Sequence, residues 1–124
     1  MMPSIDKARL CLKTIRERKA LDPVLLHVEA LTSVADYFLI TSGSSTRQVQ
    51  AIARHLDRTL REAGIRAYGS EGEQEGQWVL MDYGDVIIHI FYQPLREFYD
   101  LEGLWSEAPQ VEAYEGMASN EVAP

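Results

Sequence analysis

Tyr37-Phe38-Leu39-Ile40 constrains this chain more than any other stretch, because it is apolar at every position and so has no face to turn toward water. Such a run predicts a central strand buried on both sides. It leads through Thr41-Ser42-Gly43 into a helix with the best-marked ends in the sequence. Ser45 and Gln48 stand at capping-box spacing, Val49, Ile52, Ala53, Leu56, Leu60 and Ala63 recur with helical period, and Gly64 supplies a stop. A buried strand feeding a capped amphipathic helix points to an α/β fold.

The neighbouring elements follow from the same periodicities. Ser4 is placed to cap a first helix carrying Ile5, Ala8, Leu12 and Ile15 on one side and ending near Lys19. Asp22-Pro23 breaks it, and Val24, Leu26 and Val28 then alternate with Leu25, His27 and Glu29 as a strand with two unequal faces. A short strand is predicted over 65–68, and a glycine-rich polar loop over 69–76. Trp78-Val79-Leu80-Met81-Asp82 and Val86-Ile87-Ile88-His89-Ile90-Phe91-Tyr92 flank Tyr83-Gly84-Asp85 as a hairpin. Pro94 ends the last strand, and Leu95, Phe98, Leu101 and Trp105 fit a short helix covering the sheet. The order α-β-β-α-β-β-β-α predicts a mixed five-stranded sheet with helices packed on it.

A chain of 124 residues with 46% hydrophobic composition can bury one core, not two. The apolar period is lost at Ser106, and the remainder holds four glutamates and no Lys or Arg. One domain over 1–105 is therefore expected, with an acidic, disordered tail over 106–124. The lone Cys11 forms no internal disulfide, the N-terminus has no signal-peptide pattern, and no run approaches the ~20 apolar residues of a membrane span. These features suggest a cytoplasmic protein.

Net charge −7 argues against a general nucleic-acid binder. Its distribution is uneven: residues 1–66 carry eleven basic against seven acidic side chains, whereas 67–124 carry Arg96 alone against twelve acidic ones. An acidic half of that kind suits either a solubilising surface or a basic partner. Arg47, Arg54, Arg58 and Arg61 share one helix face, which suits phosphate but more commonly serves as a solvated surface.

Catalytic patterns are scarce. His27, His55 and His89 are far apart and no second cysteine joins Cys11, so no metal site is expected. Ser44-Ser45 lacks a nucleophile elbow, and capping already accounts for Ser45. Gly43-Ser44 has the form of a phosphate-binding turn, as in nucleotidyltransferases, but those enzymes need a pair of carboxylates on a following strand to hold Mg²⁺. Asp82 and Asp85 straddle a turn, and Glu71, Glu73 and Glu75 lie in a loop. No catalytic residue, cofactor or small-molecule substrate is therefore expected. Trp78, Leu80 and Asp82 share a strand face, with Tyr83 and Asp85 in the turn; aromatics beside carboxylates are common interface anchors, and Trp78 fits that role and a core role equally well. His89 suits a structural, hydrogen-bonded histidine better than a proton carrier.

An ordered set of motifs nevertheless stands out: Ala35-Asp36-Tyr37-Phe38-Leu39-Ile40, Ser42-Gly43-Ser44-Ser45-Thr46-Arg47-Gln48-Val49, Gly69 with Glu71-Gly72, Trp78 through His89, and Arg96-Glu97-Phe98-Tyr99-Asp100-Leu101-Glu102 with Leu104-Trp105. In this set the chain resembles the ribosomal silencing factors, also called the Iojap family. The resemblance implies a nucleotidyltransferase-like scaffold without the catalytic carboxylates. It also implies a non-enzymatic repressor that binds the large ribosomal subunit through its fourteenth protein and obstructs joining of the small subunit when nutrients are short. Residue type and motif membership nominate Glu71, Trp78, Leu80, Met81, Asp82, Tyr83, Asp85, His89 and Tyr99 as partner-binding. Adjacent ribosomal RNA and a second copy of the chain are further candidate partners. The alternatives are a homodimeric module for another basic protein and a nucleotidyl or phosphoryl transferase.

Overall fold

The apolar run does become the centre of the sheet. A computed structural model describes residues 2–111, and in it β2 (Tyr37–Gly43) is buried at every position. It pairs antiparallel with β1 (Leu21–His27) on one side and parallel with β5 (Val86–Tyr92) on the other. Beyond β5 lie β4 (Trp78–Asp82) and β3 (Gly69–Glu71), both antiparallel, and beyond β1 lies β6 (Gln110–Val111). The spatial order is β3-β4-β5-β2-β1-β6. This is the mixed α/β sheet expected, with six strands instead of five.

The pleat divides the core in two. Tyr37, Leu39, Val79, Met81, Val86, Ile88 and Ile90 point to one face, against Ala8, Cys11, Leu12 and Ile15 of α1 (Ser4–Arg16) and Val49, Ile52, Ala53, Leu56 and Leu60 of α2 (Thr46–Glu62). Phe38, Ile40, Ile87 and Phe91 point to the other, where Leu95 of α3 (Gln93–Tyr99), Leu101 of α4 (Leu101–Leu104) and Trp105 cover them. The first face lies beneath two long helices, and the second is covered by much less.

Several local expectations change for tertiary reasons. Pro3, not Ser4, occupies the N-cap of α1, with no side-chain cap, and the helix stops at Arg16. Asp22-Pro23 is no break before a strand but an irregularity within β1: Asp22 has φ 44° and the β1–β2 register shifts between Leu21 and Val24. The short strand predicted over 65–68 instead forms over Gly69–Glu71, because the free edge of β4 pairs Gly69 with Asp82 and Glu71 with Leu80. The final helix is split at Asp100, which adopts φ 47° and accepts a hydrogen bond from Gly103 N–H. Beyond Ser106, Ala108 is buried and Val111 pairs with Leu25; residues 112–124 of the expected tail lie outside the described residues.

α2 behaves as anticipated at its ends. Ser45 Oγ accepts from Gln48 N–H, and Gly64 takes φ 82°. The reciprocal half of the box is displaced by one residue, since Gln48 Oε1 accepts from the backbone N–H and hydroxyl of Ser44.

A buried Arg96 ties the thinner layer to the sheet. Its guanidinium donates to both carboxylate oxygens of Glu102, to the carbonyls of Leu21 and Asp22, and to Ser42 Oγ, over 2.7–3.1 Å. One side chain thereby spans α3, α4, the β1 irregularity and the end of β2.

Candidate partner-binding face

β4 lies next to the sheet edge, and its alternation sorts the nominated residues. Val79 and Met81 point under the helices, whereas Trp78 and Leu80 point to the second face and are only half-buried. The backbone then carries Tyr83 back under α1 and α2, where it is 1% exposed. Met81 and Tyr83 are thus corrections to the nominated set: Met81 lies on the opposite pleat face from Trp78 and Leu80, and Tyr83 in the turn folds inward, distinctions that motif membership does not carry. Asp85 is a third. It accepts from Lys7 Nζ at 2.8 Å, and the same ammonium donates to the Tyr83 carbonyl at 3.0 Å, so this acid anchors α1 to the hairpin turn. Asp82 uses Oδ1 to accept from Gly84 N–H and shape that turn.

The remaining nominees come together. Trp78 lies 4.7 Å from the ring of Phe91 and 4.9 Å from that of Tyr99, centroid to centroid. Leu80 and exposed Glu71 face each other across the β3–β4 pair. Together with Gly72 they line a cleft of about 300 Å³ in which Trp78 and Leu80 form apolar walls and Glu71 stands at the rim. Gly72 is required there: at φ 83° a Cβ would stand 2.0 Å from the Trp78 carbonyl oxygen. Apolar surface continues onto α3, where Tyr99 stacks edge-on with Phe98, which is 77% exposed.

His89 sits beneath this surface. It is 7% exposed and accepts from the Trp78 indole N–H through Nδ1 at 3.2 Å. Burial lowers its pKa from 6.5 to about 4, so the ring is neutral.

The phosphate-binding possibility fares differently. The Ser44 N–H at the mouth of α2 is taken by Gln48 Oε1 at 2.6 Å, so the helix supplies its own ligand where an anion would bind. Gly43 serves packing, because a Cβ would meet Val49 at 3.0 Å. Among the described residues no three His, Cys, Asp or Glu side chains converge as a metal site, and no helix is long and apolar enough to cross a membrane. Arg47, Arg54 and Arg58 are exposed on α2, across the sheet from Trp78, while Arg61 pairs with Asp57.

A family model described as "Ribosomal silencing factor during starvation" matches residues 2–123. The chain belongs to the ribosomal silencing factor family. The match runs past Trp105, where the motif set ends. A ribosomal silencing factor of Halalkalibacterium halodurans is 40% identical over 95% of this chain and 100% of its own length. Another, from Bacillus subtilis, is 45% identical over 82% of this chain and 86% of its own. A crystal structure of a Chromobacterium violaceum protein superposes with TM-score 0.83 at 36% identity, covering 85% of this chain and 88% of that one. Membership places the chain among ribosome-associated regulators of translation. Within this ribosomal silencing factor, Arg96 is the residue that sequence reasoning missed as an organiser; its place in the motif beside Glu102 was the only signal available.

Proposed function

We propose that the protein silences translation by binding the large ribosomal subunit, through that subunit's fourteenth protein, with the half-open face of its sheet, and thereby stands where the small subunit must dock. The observation that supports this most is the cleft that Trp78 and Leu80 wall and Glu71 rims, with Tyr99 against the Trp78 ring, on a face with far less cover than its opposite. Half-buried aromatics with an adjacent carboxylate suit a basic protein surface, the rings supplying affinity and the charge supplying orientation. Ribosomal proteins are rich in Lys and Arg, and the acidic 67–124 half of the chain adds a long-range attraction toward them. Contact contributed by Glu71, Trp78, Leu80 and Tyr99 is steric and noncovalent, so no catalytic step is involved. Any contact of the α2 arginines with ribosomal RNA would use the opposite side of the molecule. The setting is the cytoplasm under nutrient shortage.

Sedimentation of purified ribosomal subunits tests this directly. Saturating protein is expected to shift joined ribosomes into free subunits and to comigrate with the large one; full joining at saturation overturns the proposal.

A further inference from the structure

β5 is apolar from Val86 to Phe91 except for His89, and an imidazole is a costly filling for such a position unless its polar atoms have work. The cross-strand register sets that work. Trp78 is opposite Phe91 and Leu80 is opposite His89, so Trp78 and His89 are diagonal neighbours on one face. The indole N–H donates to Nδ1 at 3.2 Å. A neutral ring with its proton on Nε2 is the form that accepts at Nδ1, and burial keeps it neutral.

The other neighbours of Trp78 do not choose an orientation. Phe91 and Tyr99 touch the indole at tilts of 32° and 43°, contacts that a flip of the ring about its Cβ–Cγ bond would largely preserve. The hydrogen bond is directional and would be lost. His89 is itself held edge-on to Phe38 at 5.6 Å, and Phe38 in turn to Trp105 at 4.9 Å, so the acceptor stands on a fixed base. We propose that His89 is a positioning residue: it touches no partner atom, and its Nδ1 holds the indole of Trp78 in the one orientation that keeps the Glu71–Leu80 cleft open for docking. This rests on the reading of the Trp78 face as the docking face. A preorganised anchor binds without first losing its rotational freedom, which is how a buried acceptor reaches the interface energetics.

The test has two arms, each using the full chain. In the first, the ¹⁵N-labelled free protein is observed by NMR, the Trp78 indole resonance being assigned by its absence in Trp78→Phe. His89→Leu is expected to move that resonance upfield and speed its exchange with water. His89→Asn, whose Oδ1 falls close to the position of Nδ1, is expected to restore it. In the second arm, affinity for purified large subunits is measured for the same variants, with urea denaturation verifying that each is folded. His89→Leu is expected to weaken binding about tenfold, the scale of one lost hydrogen bond. His89→Asn should recover it, and His89→Leu should add nothing in a Trp78→Phe background. An indole resonance indifferent to His89→Leu, or equal weakening with and without the indole N–H, overturns the inference. Absence of wild-type binding would instead defeat the docking reading, while the NMR arm still decides whether His89 orients the ring.

Discussion

The two faces of the sheet are built from similar residues and covered differently. Under α1 and α2, Leu39, Ile88, Ile90, Leu56 and Ile52 are 0% exposed, and even the polar tether between Lys7 and Asp85 serves to hold a helix down. Across the sheet, Phe91 and Ile40 are as deeply buried, but toward β3 and β4 the cover runs out, leaving Trp78 and Leu80 half-buried and Tyr99 48% exposed. The difference lies in the length of the covering helices, not in hydrophobicity: α2 spans 17 residues and α3 only 7. A short helix pinned by Arg96 protects one end of the face and leaves the other half-open.

Substitutions on the two faces should separate stability from binding, and the largest effect belongs to the covered side. Leu39→Ala is expected to cost about 3–4 kcal/mol in urea denaturation, by lost transfer energy and a cavity beneath α2, with affinity of the folded fraction for large subunits unchanged. An equal loss of affinity in folded protein would show the two faces to be coupled.

Next in size is a pH effect confined to the open face. His89 titrates near 6.5 when unfolded and near 4 in the folded chain, so between those values the unfolded state binds the additional proton. Stability from this group is complete above pH 6.5, falls as pH drops toward 4, and changes no further below, for an upper total of about 3 kcal/mol. Denaturation at pH 7 and pH 4 should show a smaller difference in His89→Asn than in wild type, and identical differences would deny the group its buried, neutral role.

Trp78→Ala inverts the pattern of Leu39→Ala. It is expected to reduce affinity for large subunits by about 2 kcal/mol, the scale of an interface anchor, as read by cosedimentation over a concentration series. A folded variant with wild-type affinity would return Trp78 to the core and remove the contrast between faces. The smallest effect is at the covered side's helix terminus: Ser45→Ala should lower stability by about 1 kcal/mol through loss of the Gln48 N–H cap, without altering binding.

Part of this architecture was legible because it rests on local rules. A four-residue apolar run, a helix with Ser45 and Gly64 at its ends, and a hairpin around Gly84 depend on nearest neighbours and on backbone conformations that few residues tolerate. The site was half-legible. Trp78, Leu80, Glu71 and Tyr99 were nominated and do come together, but Met81 and Tyr83 were nominated beside them, because motif membership does not tell the covered face of a strand from the open one or say which way a turn residue points.

What the sequence determined alone was the central strand, its capped helix, the hairpin and the family motif set. Tertiary structure decided the rest, since each remaining feature joins residues that are distant along the chain. Gly69–Glu71 is a strand only because β4 offers a free edge, and Val111 only because β1 does. Asp85 became an anchor when folding brought Lys7 across 78 positions, and Arg96 became an organiser when β1 presented two carbonyls 74 and 75 positions away. Hydrogen bonds and ion pairs act over a few ångströms, so a partner that far off in sequence leaves no periodic trace for a local pattern to carry.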